Sequence, residues 1–363
     1  MSLEILSIGT ALPELPIAHE RAATLAEAYT CTTDEQRRIF RRLYRMSGIG
    51  QRYSVILERE ADGQINQSFY PPLQSTGDQG PSMATRMQRY EQEAPGLSLA
   101  AAKQAISQAK IACAEITHLI TVSCTGFFAP GIDYALIRGL SLSPSVARTH
   151  IGFMGCHGAI NGLRAALAFA HQNPDATILL CCVELCSLHY QYGWHPEQIV
   201  ANALFADGAA AVIAKSYQKR ASHDWQVRDC GSFVIPQSEG AMSWRIGDHA
   251  FGMTLSPELP DLIYANLSPW LEGWLAQYQL RLSDIKSWAI HPGGPRILGA
   301  VGRSLKLGDR ELEVSRCVLH EHGNMSSPTV LFILHELQAR GAETPCVALA
   351  FGPGVVAEAA LFL

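Results

Sequence analysis

Three residues of this chain have types that together suit acyl transfer, and each stands at a glycine-marked corner. Cys156 lies in Gly152-Phe153-Met154-Gly155-Cys156-His157-Gly158, His291 in Ile290-His291-Pro292-Gly293-Gly294, and Asn324 in His322-Gly323-Asn324-Met325-Ser326. Cysteine with histidine is a recurring nucleophile pair, the imidazole taking or sharing the thiol proton. An asparagine amide steadies negative charge on a carbonyl oxygen without adding a charge of its own. Behind Cys156, the spacing of Ile160, Leu163, Leu167 and Ala170 predicts a buried helix from Ala159 to about Ala170. Free backbone N–H groups and the macrodipole at such a helix start favour thiolate over thiol. Gly155 and Gly158 are expected to leave room for a substrate carbonyl against the backbone.

The elements that must hold these corners alternate between strand and helix. Leu3 to Gly9 reads as a strand, Ser98 to Ala109 as a buried helix, and His118 to Cys124 as a strand ending in Thr125-Gly126. A helix starts at Pro130-Gly131-Ile132-Asp133, and apolar strands are expected at 177 to 183 and Ala209 to Ala214. Residues 54 to 80, punctuated by proline and glycine, read as a surface connection. The second part repeats this order. Strands are expected at Gln226 to Ile235, Ser287 to Ile290, Cys346 to Ala350 and Val355 to Phe362, with helices from Pro295 and from Asn324. Such alternation implies an α/β sheet with helices on its faces. Cys124-Thr125-Gly126 answers His291-Pro292-Gly293, and Cys156 answers Asn324. The chain thus divides into halves 1–215 and 216–363, with the join near residues 216 to 225. A duplication of this kind brings equivalent strand and helix ends to one crevice.

Composition narrows the partners. At 363 residues, 48% hydrophobic and 17% charged, the chain can bury a large core. A net charge of −5 argues against nucleic acid or an anionic membrane as the main partner. No apolar run approaches the roughly 20 residues of a membrane span. Ten cysteines without a signal pattern read as reduced thiols in a cytoplasmic protein. Cys181, Cys182 and Cys186 lack a matching second pair, and His320 and His322 lack the spacing of a helical zinc motif, so no metal site is expected. The run Arg37, Arg38, Arg41, Arg42 and Arg45 reads either as a solvated helix face or as a patch that pairs with phosphate.

Five motifs in order make this chain similar to the type III polyketide synthases, the chalcone synthase family, in its bacterial-type branch. They are Cys156 in its glycine setting, Leu204-Phe205-Ala206-Asp207-Gly208, Ile290 to Pro295, His322 to Ser327 and Phe351-Gly352-Pro353-Gly354. The resemblance implies the thiolase fold, two pseudo-repeated halves layered α-β-α-β-α, and a homodimer in which Ala129 approaches the partner. It implies an acyl-CoA starter and malonyl-CoA as substrates, with no metal or redox cofactor. It makes Cys156 the nucleophile, paired with His291, which then works with Asn324 on the thioester oxygen of malonyl-CoA. Phe205 matches a gatekeeper phenylalanine, and Gly352 and Pro353 belong to the loop under the cavity. Cys124, His189, Trp244, Met253 and Ser326 fall at substrate-binding positions, and Arg42 and Arg45 near those that bind CoA.

Trp244, His189 and Met253 stand where plant members carry glycine, threonine and phenylalanine. These departures resemble bacterial members and suggest a long-chain alkyl starter closed into a resorcinol or pyrone. Two other readings of the triad stand beside this one: an initiating ketoacyl synthase that condenses once, and a papain-like cysteine peptidase, whose Cys-Gly-Ser-Cys-Trp context is missing here.

Overall fold

The computed structural model describes residues 2–75, 77–217 and 225–363. The chain opens with β1 (Ser2–Ala11), β2 (Pro16–Ala18), α1 (His19–Thr30) and α2 (Asp34–Arg45). The short strands β3 (Gln51–Tyr53), β4 (Glu58–Arg59) and β5 (Ile65–Asn66) lead to the long helix α3 (Met83–Ala109). Then come β6 (His118–Ser123), α4 (Ile132–Leu140), β7 (Ala147–Gly152), α5 (Gly158–Gln172), β8 (Thr177–Leu185), α6 (Pro196–Leu204) and β9 (Asp207–Tyr217). The second part holds β10 (Gln226–Val234), β11 (Met242–Ile246), β12 (Phe251–Leu255), α7 (Leu259–Ala276), β13 (Ser287–Ile290) and α8 (Pro295–Leu305). It closes with α9 (Asp309–His322), α10 (Ser327–Ala339), β14 (Cys346–Gly352) and β15 (Val356–Phe362).

Nine strands form one sheet in the order β13-β14-β15-β10-β1-β9-β8-β6-β7. The run β6-β8-β9-β1 is matched by β13-β14-β15-β10. In each run the first pair is parallel and the next two are antiparallel. The two leaves join where Leu3 and Glu4 face Val227 and Gln226. The expected join near residues 216 to 225 falls mostly on 218–224, outside the described residues.

Five layers follow from which faces are apolar. Between the leaves lie α5 and α10, whose Ile160, Leu163, Leu331 and Leu334 share a core with Val122, Val212, Ala348 and Ala360. Outside the first leaf, α3 packs through Ala101, Ala102 and Ala105. Outside the second, α7 and α8 pack through Leu267, Leu271, Leu298 and Val301. Because both faces of the leaves are covered, all nine residues of β8 are buried. Its alternation sends Cys181 to the core against α3 and Cys182 to the core between the leaves, which disperses the apparent cysteine cluster.

Several elements go beyond the sequence reading. The helix read from Ser98 begins at Met83, where the Ser82 hydroxyl caps the Thr85 N–H at 3.2 Å, and it carries Pro95 within it. Edge strand β7 has no buried residue and is half exposed, so it lacks the apolar run by which a covered strand is recognised. The connection at 54–80 has an inward anchor in Tyr70, buried and donating to the Ser187 carbonyl at 2.6 Å. Among the described residues, no helix is long and apolar enough to cross a membrane.

Candidate active site

Cys156 occupies a single 3₁₀ turn, Gly155–His157, that runs directly into α5. Gly155 has φ +75°, and a Cβ there would lie 2.5 Å from Cδ of Pro353. That glycine therefore makes room for the turn between β14 and β15. Gly158 packs against Val122, 2.7 Å from where its Cβ would be. Gly158 serves close approach of protein to protein rather than clearing a path for substrate, whereas Gly155 also lines the cavity beside Cys156.

The equivalent start of α10 brings the second half to the same point. Ser326, a non-glycine residue at φ 56°, donates its hydroxyl to Cys156 Sγ at 3.5 Å and stands 3.6 Å from Cys124 Sγ. Strained backbone of this kind persists where the surroundings over-determine it. Asn324 Oδ1 accepts the Ser326 N–H at 2.8 Å, which leaves its amide nitrogen to hydrogen-bond the Cys156 sulfur. Asn324 is also bridged to Phe205. Ala206 N–H donates to the Asn324 carbonyl at 2.8 Å, and Asn324 N–H to the Leu204 carbonyl at 2.9 Å. His291 is 1% exposed, and neither ring nitrogen has a hydrogen-bond partner. The three residues thus share one cavity without a direct bond between Cys156 and His291.

Burial governs the charge of this pair. It pushes the Cys156 thiol up to about 12, against the hydrogen bonds from Ser326 and Asn324 and with a further push from the Glu184 carboxylate. Burial likewise pushes His291 down to about 3. The thiolate expected from the helix start is therefore not the resting form, because desolvation outweighs the backbone contribution when no cation stands beside the sulfur. The pair rests as thiol and neutral imidazole.

The cavity has two lobes that meet at Cys156, Phe205, Met242 and Met253. The catalytic lobe, about 30 Å³, is lined by His291, Asn324 and Phe351. The other, about 40 Å³, is lined by Cys124, His189, Trp244, Phe251, Ser326 and Pro353. Trp244 walls it, its indole N–H held by the Cys124 carbonyl at 2.7 Å. His189 donates from Nε2 to the Thr125 carbonyl at 2.7 Å and accepts the Phe251 N–H at Nδ1, 3.2 Å away. Burial pushes His189 down to about 3, so it is a neutral spacer. Its ring stacks on Phe251 at 4.1 Å, with Trp244 edge-on to both.

Not every residue singled out in the sequence reaches the cavity. Gly352 packs instead against His157 and the Met154 carbonyl. Arg42 and Arg45 are exposed on α2, whereas Arg41 is paired with Glu27. Glu184 was hidden in the apolar run of β8. Its buried carboxylate accepts Cys124 N–H at 2.9 Å, the Thr125 hydroxyl at 2.7 Å and the Ser327 hydroxyl at 2.7 Å. It ties the corner after β6 to the start of α10, and burial raises its pKa.

Comparison with known proteins agrees with this geometry. Residues 2–217 match the family model for the N-terminal domain of chalcone and stilbene synthases, and residues 226–363 that for the C-terminal domain. The chain is 34% identical over 284 residues to the α-pyrone synthesis polyketide synthase-like Pks18 of Mycobacterium tuberculosis, covering 76% of this chain and 72% of that protein. It is 32% identical to 1,3,6,8-tetrahydroxynaphthalene synthase of Streptomyces peucetius, covering 98% of this chain and 91% of that one. The crystal structure of PKS-I from the brown alga Ectocarpus siliculosus matches with a TM-score of 0.91 at 31% identity, covering 99% of this chain and 98% of that one.

Proposed function

The chain belongs to the chalcone and stilbene synthase family, the type III polyketide synthases, and on that footing we propose a reaction cycle for it. As a member it is an acyltransferase that extends thioesters by decarboxylative condensation with malonyl-CoA. The observation that carries the cycle is the meeting of Cys156, His291 and Asn324 in one buried lobe. Cys156 Sγ attacks the carbonyl carbon of the starter thioester while its proton passes to His291. The CoA sulfur leaves and takes that proton back. Malonyl-CoA then enters. Its C–C bond to the carboxylate breaks, CO2 departs, and the electron pair moves onto the thioester oxygen as an enolate. The His291 ring N–H and the Asn324 amide donate to that oxygen as charge develops. The carbanion attacks the acyl carbon on Cys156 and the C–S bond breaks. The released thiolate then takes up the lengthened acyl group from its CoA thioester, expelling the CoA thiolate, which is protonated from solvent, and the next round begins.

The second lobe supports an apolar acyl starter and a cyclised pyrone or resorcinol product. None of its lining residues carries a charge, His189 being neutral. A space of about 40 Å³ is small beside a long alkyl chain. The long alkyl starter therefore needs Trp244 to yield, and the observation that favours it is the methionine lining, Met242 and Met253, which adapts its shape readily. Arg42 and Arg45 take the role of pairing with CoA phosphates. A homodimer is supported by the exposed edge strand β7 and by the apolar Phe127 and Met154 beside it, 40% and 38% exposed.

Mass spectrometry of products from malonyl-CoA and a ladder of acyl-CoA starters, beside Cys156→Ala, tests this reading. Products with two or three added acetate units, absent in the variant, are expected. A single condensation that requires a carrier protein would replace the reading with the ketoacyl synthase.

A further inference from the structure

The residue after the nucleophile is a second buried histidine, which the cycle above does not use. His157 is 2% exposed, and its Nδ1 lies 2.8 Å from Asn161 Oδ1, one turn along α5. The Asn161 amide nitrogen donates to Glu358 Oε1 at 3.1 Å. Glu358, on β15, also accepts the Ser232 hydroxyl at 2.8 Å and pairs with Arg164. The carboxylate fixes the amide, turning Oδ1 toward the ring. That oxygen can only accept, so His157 must donate from Nδ1. The far edge of the ring lies on the backbone of Gly352, where a Cβ would come within 2.2 Å of Cδ2 and 2.4 Å of Nε2. On the other side of Cys156, Gly155 receives Pro353. The turn between β14 and β15 thus grips the nucleophile turn at both residues flanking the sulfur.

We propose that His157 is a positioning residue for Cys156. Its imidazole, anchored through Asn161 and Glu358 and seated on Gly352, fixes the 3₁₀ turn so that Sγ stays within reach of Ser326, Asn324 and the incoming thioester. Helix α5 alone does not fix this, because the turn precedes its regular hydrogen bonding. Displacing a reacting atom by about 1 Å can cost up to about a hundredfold in rate. Any loss on releasing the anchor therefore falls on sulfur chemistry. His291 and Asn324 hang from other elements, the end of β13 and the start of α10, and keep their places.

The inference rests on the synthase reading, and its test separates the two. His157→Phe keeps the ring and removes the donor, whereas His157→Asn returns an amide N–H near the Nδ1 position. Three rates are measured: iodoacetamide alkylation of Cys156 by peptide mass spectrometry, acylation of Cys156 by starter acyl-CoA, and decarboxylation of malonyl-CoA without starter. Decarboxylation uses His291 and Asn324 but not the sulfur. His157→Phe is expected to slow both sulfur reactions about tenfold or more, with decarboxylation within about twofold and His157→Asn recovering most of the loss. Asn161→Leu, which removes the anchor one turn further on, should give the same split should His157→Phe not fold. Alkylation at the unmodified rate in these variants overturns the proposal. So does a parallel loss of all three rates in every variant, which marks a merely structural ring. Absence of decarboxylation in the unmodified protein would instead overturn the synthase reading.

Discussion

The two lobes that meet at Cys156 are held by different kinds of interaction. The catalytic lobe is built from the leaves themselves. Asn324 is laddered to Leu204 and Ala206, and His291 N–H donates to the Leu349 carbonyl at 2.8 Å. The second lobe is closed by the hairpin β11–β12, which forms its own two-stranded sheet outside the nine-stranded one. A hairpin of two strands is marginal by itself. Side chains carry much of its attachment: Trp244 to Cys124, His189 to Phe251, and Gln198 to Met253. Bonds of this sort contribute about 1 kcal/mol net each. Chemistry is thus fixed by the fold, and specificity is attached to it by separable contacts.

The largest effects are expected in the catalytic lobe. Cys156→Ala should lower polyketide formation by about a thousandfold or more while malonyl-CoA decarboxylation persists. Asn324→Ala should lower decarboxylation by about 10²–10³. Neither should change which starters are preferred, read from competition between acyl-CoAs. A shift in preference would mean that the lobes are not separable.

Trp244→Ala should show the opposite pattern. Starters or products should lengthen, with decarboxylation unchanged, and stability should fall by about 2 kcal/mol from lost ring contacts and one hydrogen bond. Product masses and the urea midpoint check both halves of this. An unchanged product profile would remove Trp244 as the wall that matters.

A pH effect on stability has one contributor in each lobe. Burial holds His189 and His291 at about 3, against 6.5 when exposed. The unfolded chain then binds more protons below pH 6.5, so stability falls as pH drops from about 6.5 toward 3. Each group contributes about 1.4 kcal/mol per pH unit in that window. His189→Gln, which preserves a donor and an acceptor, should flatten the dependence of the urea midpoint by about one proton; an unchanged slope would show that His189 is not held neutral. The least effect belongs to the exposed Arg42. Arg42→Ala should raise the KM for CoA thioesters by about two- to fivefold without changing kcat, and less so in high salt.

Much of the fold was legible because covered strands announce themselves. β6, β8, β13 and β14 are short apolar runs, and His291 stands at the glycine-marked corner after β13, whereas the corners of Cys156 and Asn324 follow β7 and α9. Exposed β7 gave no such signal, and β11–β12 joins no leaf, so the placement of Trp244 required coordinates. Glu184 was masked by its apolar neighbours in β8. The state of the Cys156 thiol was misread for a physical reason: helix position is visible in a sequence, whereas the depth of burial that outweighs it is not. Gly155 and Gly158 were recognisable as close approaches, but what packs on Gly155 is decided by chain more than 190 residues away.

The central claim is that the Cys156 sulfur carries the chain while His291 and Asn324 make the carbanion. Rapid quenching of the enzyme with a starter acyl-CoA and malonyl-CoA, followed by digestion and peptide mass spectrometry, tests it most directly. The account predicts the starter acyl group on the peptide containing Cys156 first, then the same peptide grown by acetate units. Product formation with that peptide unmodified, or with the acyl group on another cysteine, would contradict it.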